Sequence, residues 1–173
     1  MWKMRQFVCR LVITSALWAV TTPAWALDIC GAPQTSTLFA GQTIVAGTVT
    51  VFNDASHIYV QYQTNYPWVI SDAHAAVAAT LDGIPQTKTG NPIPGRFAYS
   101  ATFESDVTTY TFQVPTGVVF TAGQTVVVAA HAILQAPKSY GGSQTGWAFG
   151  PDFPGANWAT YMTYQVQGCG NPE

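Results

Sequence analysis

Thr43-Ile-Val-Ala-Gly-Thr-Val-Thr-Val51, Phe52-Asn-Asp-Ala-Ser56 and His57-Ile-Tyr-Val-Gln-Tyr-Gln-Thr64 read as strand, turn and strand. The first run is β-branched and the middle one holds turn formers. The last alternates, with Ile58, Val60 and Tyr62 on one face and His57, Tyr59, Gln61 and Gln63 on the other. A period of two with β-branched and aromatic residues is the signature of a half-buried strand in a hairpin.

Working outward, the same pattern predicts strands at 68–80, 96–103, 107–114, 124–134 and 157–167. In the strand starting at Val107, Tyr110, Phe112 and Val114 lie opposite Thr109, Thr111 and Gln113. In the last strand Trp158, Thr160, Met162, Tyr164 and Val166 share a face. Gln124-Thr-Val-Val-Val-Ala-Ala-His-Ala-Ile-Leu134 is apolar on both faces, which fits a central strand covered on both sides. The Ala-rich run 73–79 has helical propensity, but its neighbours Trp68-Val-Ile70 and Leu81-Asp-Gly-Ile-Pro85 favour a strand. Seven to nine strands separated by turns predict an all-β fold, an antiparallel β-sandwich of Ig-like or jelly-roll-like kind or a barrel. Two Gly- and Pro-rich loops, 81–95 and 135–155, interrupt the strands, the second longer than a plain connection needs. Ala40-Gly-Gln-Thr43 recurs as Ala122-Gly-Gln-Thr125, each after an aromatic (Phe39, Phe120) and before a β-branched run. It reads as one turn-to-strand entry used twice, since the similarity ends within a few residues.

Residues 1–26 have the three parts of a secretory signal peptide: Lys3, Arg5 and Arg10, then apolar Leu11 to Val20, then Ala24-Trp-Ala26 as a small-x-small cleavage site. Ile29 before Cys30 is not the small residue that lipidation asks for. The expected product is residues 27–173, one secreted domain in the periplasm or outside the cell, with no membrane span after cleavage. It keeps Lys88, Arg96 and Lys138 as its only cations against eight acids, a formal charge of −5. Without a basic stripe the chain is no nucleic-acid partner, and with 8% charged and 13% aromatic residues it is not disordered. Cys9 leaves with the signal. Cys30 and Cys169 remain and predict a disulfide joining the two ends of the domain.

Candidate chemistry is sparse. Asp72 and His74 stand two apart, so they point the same way from a strand, and His131 on a neighbouring strand would complete a two-His-plus-carboxylate metal set. The competing reading makes His74 and His131 neutral residues hydrogen-bonded across the sheet. No Gly-x-Ser-x-Gly elbow is present. A carboxylate pair drawn from Asp72, Asp82, Glu104, Asp106 or Asp152 is only one choice among many acids. The aromatics are the stronger feature: Tyr66, Trp68, Tyr99, Tyr140, Trp147, Phe149, Phe153 and Trp158 fall at strand ends or in loops. Flat rings bind the apolar faces of sugars and anchor protein partners, although about half of these should seal the core instead. A ligand surface is expected near 140–158, formed by Tyr140, Trp147, Phe149, Phe153 and Trp158.

Gly90-Asn-Pro-Ile-Pro-Gly-Arg-Phe97, Val107-Thr-Thr-Tyr-Thr-Phe112, Ala129-Ala-His-Ala132, Trp147-Ala-Phe-Gly150 and Phe153-Pro-Gly-Ala-Asn-Trp-Ala-Thr-Tyr161 together resemble a β-rich module of secreted and surface proteins of bacteria. The resemblance spans residues 38–166. It implies an extracellular β module and carries no reaction. In such modules the third strand resembles Thr-Glu-Thr-His-Leu-His-Val; here it is Ser71-Asp-Ala-His-Ala-Ala-Val77, with Ala76 in place of the second His. An H-x-H metal site would therefore be incomplete in this chain. The residues favour a non-enzymatic module that binds an extracellular glycan or protein in adhesion or matrix assembly, with no obligatory cofactor. The alternative is a metal-dependent module or hydrolase using Asp72, His74 and His131. Low charge and strand edges also allow self-association.

Overall fold

The computed structural model describes residues 28–116 and 120–170. The expected signal segment, 1–26, lies outside them. Nine strands are described: β1 (Cys30–Ala40), β2 (Ile44–Asn53), β3 (His57–Thr64), β4 (Val69–Ala78), β5 (Tyr99–Val107), β6 (Thr109–Pro115), β7 (Thr125–Gln135), β8 (Gln144–Ala148) and β9 (Met162–Gln165). Every pairing is antiparallel. The strands form one sheet in the order β5-β4-β7-β8-β1-β2-β3-β6, and β9 joins β8 along the same side of β7.

The all-β antiparallel expectation is met, and the single sheet curls into a nearly closed barrel. Its two end strands, β5 and β6, are consecutive in the chain, so the sheet's edges meet. Aromatic side chains fill the seam: Phe103 and Tyr110 lie 4.8 Å apart, ring centre to ring centre, and Tyr99 and Phe112 6.2 Å.

The hairpin expected over 43–64 is β2–β3, in register from Asn53↔Ile58 to Gly47↔Thr64. Its turn is set by Asp54, whose Oδ1 accepts from the backbone N–H of Ser56 (2.7 Å) and of His57 (2.6 Å). As the alternation requires, Ile58, Val60 and Tyr62 are buried in the barrel; burial of an Ile or Val side chain contributes about 1.5–3 kcal/mol. The buried Tyr62 hydroxyl donates to the His74 carbonyl at 2.8 Å, so no polar group is stranded. Tyr59 departs from the simple alternation. It is buried on the outer face, stacked on Phe52 at 4.9 Å, and its hydroxyl donates to Asp54.

β7 is covered on both faces, as its composition demanded. Val126, Val128, Ala130, Ala132 and Leu134 face the barrel core. Val127 and Ala129 face outward under a second cluster with Ile84, Phe97, Trp147 and Phe153. Segments 81–97 and 151–161 thus fold over the outside of the sheet. The Ala-rich run is strand β4, paired with β7 from Val69↔Gln135 to Ala78↔Val127.

Several strand expectations need correction, among them the strand expected at 96–103, which runs from Tyr99 to Val107 after a 3₁₀ turn at Pro94–Arg96. The stretch expected as one long loop, 135–155, contains β8, and β1 was not expected at all. The last strand begins at Met162, not at residue 157. β1 is exposed through most of its first half and carries Pro33 beside a register irregularity, so it shows no period of two. β8 is five residues long around Gly146, where a Cβ would meet Leu134 and the Phe39 carbonyl. The repeated Ala-Gly-Gln-Thr is one turn used twice: Gly41 and Gly123 both take positive φ, +60° and +84°. The expected disulfide, Cys30–Cys169, is present. No helix among the described residues is long and apolar enough to cross a membrane.

Candidate functional site

One row of directly opposed residues runs around the outside of the barrel: Ser100 on β5, His74 on β4, His131 on β7, Trp147 on β8, Phe39 on β1 and Val45 on β2. Opposed side chains of adjacent strands share a face and touch. The row therefore carries polar residues at one end and apolar residues at the other. The ring centres of His74 and His131 are 5.3 Å apart, and those of His131 and Trp147 4.8 Å.

At the apolar end lies a cleft of about 330 Å³ bordered by four aromatic rings, Phe39, Trp147, Phe149 and Trp158. Gln42, Asp152 and Thr160 supply polar groups at its border. Trp147 is only 4% exposed and is held from behind by Phe153 (6.2 Å) and Phe97 (6.4 Å). Phe149 is 62% exposed and meets Phe39 edge to face at 5.9 Å, the rings inclined by 76°. Trp158 is half-buried.

The backbone around these rings is firmly tied. The Phe149 N–H donates to the Thr37 carbonyl at 2.7 Å, and the Ser36 hydroxyl donates to the Phe149 carbonyl at 2.6 Å. The Thr160 hydroxyl donates to the Ala148 carbonyl at 2.7 Å, and the Phe153 N–H to the Ala159 carbonyl at 2.9 Å. Asn91 reaches over from the neighbouring loop, its Oδ1 accepting from the Asn157 N–H at 3.1 Å. A cleft tied in this way is preorganised, which lowers the ordering cost of binding. None of Lys88, Arg96 and Lys138 borders it, and Asp152 is its one charged residue.

Behind Trp147 the two histidines do meet, with their Nδ1 atoms 3.3 Å apart. Burial pushes the His131 imidazole down to about 3; proximity to His74 adds to this and the Asp72 carboxylate opposes it. His74 is also shifted down, mainly by its own burial, against Asp72. Both rings are neutral near pH 7 and share one hydrogen bond. Asp72 lies on the same face but accepts from the Thr102 hydroxyl at 2.9 Å. Among the described residues no group of three or more His, Cys, Asp or Glu side chains stands ready to hold a metal ion. The expected set is thus a histidine pair beside a carboxylate, and as it stands it does not form a three-ligand site.

Three of the five expected ligand residues, Trp147, Phe149 and Trp158, line the one cleft. Phe153 is 2% exposed and supports Trp147 from within. Tyr140, 53% exposed, belongs to a 3₁₀ turn after β7 and does not border the cleft. Phe39, Gln42 and Thr160 were missed. The repeated Phe39-Ala-Gly-Gln42 marked two of them, but as a turn and not as a site. Asp152 had stood only among the surplus acids. His57 lies apart at the β2–β3 turn, its Nδ1 2.8 Å from the Ser56 hydroxyl. The Asp54 carboxylate there is opposed by burial but held at about 2 by hydrogen bonds from Tyr59, Ser56 and His57. Those bonds define a turn. Set against protein-family models, curated proteins and solved structures, the chain has no match in any of the three.

Proposed function

We propose that this chain is a non-enzymatic, secreted binding module that holds a glycan in the aromatic cleft, in adhesion or matrix attachment. The observation that carries this reading is the convergence of Phe39, Trp147, Phe149 and Trp158 on one tied cleft with Gln42, Asp152 and Thr160 at its border. Rings stack on the apolar faces of sugars, while amide, hydroxyl and carboxylate groups take the sugar hydroxyls. The disulfide suits an oxidising compartment. A glycan array and insoluble cell-wall fractions test it with Phe149→Ala and Trp158→Ala, which remove rings at the surface. Each should weaken binding roughly ten-fold, about 1.4 kcal/mol, with the unfolding midpoint little changed. Unaltered binding by both variants would overturn the reading, as would a wild-type protein that binds no glycan.

A second reading, a metal-dependent module, is favoured by one distance. Two nitrogens 3.3 Å apart match the span of two ligands about 2.0–2.1 Å from one tetrahedral zinc ion. Metal analysis of the purified protein tests it: one equivalent lost in His74→Ala supports it, and metal-free protein whose unfolding midpoint ignores added zinc ends it.

A further inference from the structure

The charge around the cleft narrows what it accepts. Resting on the glycan reading above, we infer that the cleft selects a sugar bearing a protonated amine, such as an unacetylated glucosamine unit. Its border holds one carboxylate, Asp152, and no cation, while the three cations of residues 27–173 lie elsewhere. Phe39 and Phe149 stand 5.9 Å apart with their planes inclined by 76°, like adjoining walls of a box. Trp158, half-buried, supplies a further aromatic surface, and Trp147, 4% exposed, backs the cleft from within. Aromatic faces carry negative potential, so a cation seated against the exposed Phe149 and the half-buried Trp158 gains from their rings. Asp152 adds a full negative charge at the rim, and its side chain makes no hydrogen bond among the described residues. The carboxylate is thus left to the ligand. The formal charge of −5 over residues 27–173 adds a weak field of the same sign. His131, whose ring packs against Trp147, is kept neutral by burial and sets no positive charge against the ligand. A uronic or sulfated sugar would set its own negative charge against Asp152, and a neutral sugar would meet that carboxylate through hydroxyl hydrogen bonds alone, without the charge pairing.

The experiment compares glucosamine tetramer with N-acetylglucosamine tetramer, which share a backbone and differ in charge, by calorimetry in mildly acid buffer. The glucosamine tetramer should bind roughly ten-fold more tightly, with the preference shrinking as salt is raised. Asp152→Asn, a substitution at an exposed residue, should bring the two affinities together. Equal affinities in the wild type, or a preference that persists in Asp152→Asn, would overturn the inference while leaving the glycan reading intact. Binding of neither tetramer also overturns it, and the glycan array then decides separately whether the broader reading survives. Phe149→Ala should weaken both tetramers, which shows that they occupy the aromatic cleft.

Discussion

His131 couples the fold to pH. It is 6% exposed and titrates at about 3 in the folded chain, against 6.5 for a free imidazole. Between those values the unfolded chain binds a proton that the folded chain does not. Stability is therefore full above about pH 6.5 and is lost as pH falls towards 3. At pH 5 the loss from this one residue is about 2 kcal/mol, and His74, shifted the same way, adds to it. Urea unfolding at pH 7.5 and at pH 5 should show the fall, and His131→Gln should flatten it. A wild-type midpoint that stays level over that range would mean that the imidazole is not buried in its neutral form.

At the scale of the strand, what could be read depended on how each strand is covered. β3, β6 and β7 announced themselves because their burial follows their side-chain pattern. Ile58, Val60 and Tyr62 face the core, and both faces of β7 are lined with apolar residues. β1 and β8 carry no such mark. Much of β1 is exposed, and Gly146 in β8 is kept small by Phe39 and Leu134 across the sheet. The site shared this fate. Trp147, Phe149 and Trp158 are visible as aromatics, but only the pairing of β8 with β1 puts Phe39 beside Trp147, and no local pattern encodes a contact so far apart in sequence. Gly47 shows the same non-local demand: a Cβ there would run into the Gln63 carbonyl of β3, whereas one at Gly95 would meet open space. Gly47→Ala should cost about 1–3 kcal/mol or more in thermal or denaturant unfolding. Gly95→Ala should stay near the wild-type midpoint.

Over the whole molecule, the sheet wraps so far that its edge strands meet through side chains and not backbone hydrogen bonds, and the disulfide fastens the start of β1 to the segment just after β9. The cysteines are 139 residues apart in sequence. Opening the bridge frees a long loop in the unfolded chain and should lower stability by up to about 5 kcal/mol on the chain-entropy model. Guanidinium unfolding of the Cys30→Ser/Cys169→Ser variant measures this, and an unchanged midpoint would show that the bridge contributes nothing. The same bond also sets how the protein bears load. Tension applied at residues 28 and 170 enters at Cys30, crosses one covalent bond and leaves at Cys169, so the strands between carry almost none of it. A ligand held in the aromatic cleft would stay on an unstressed scaffold however hard the chain ends were drawn apart, until that single bond was reduced.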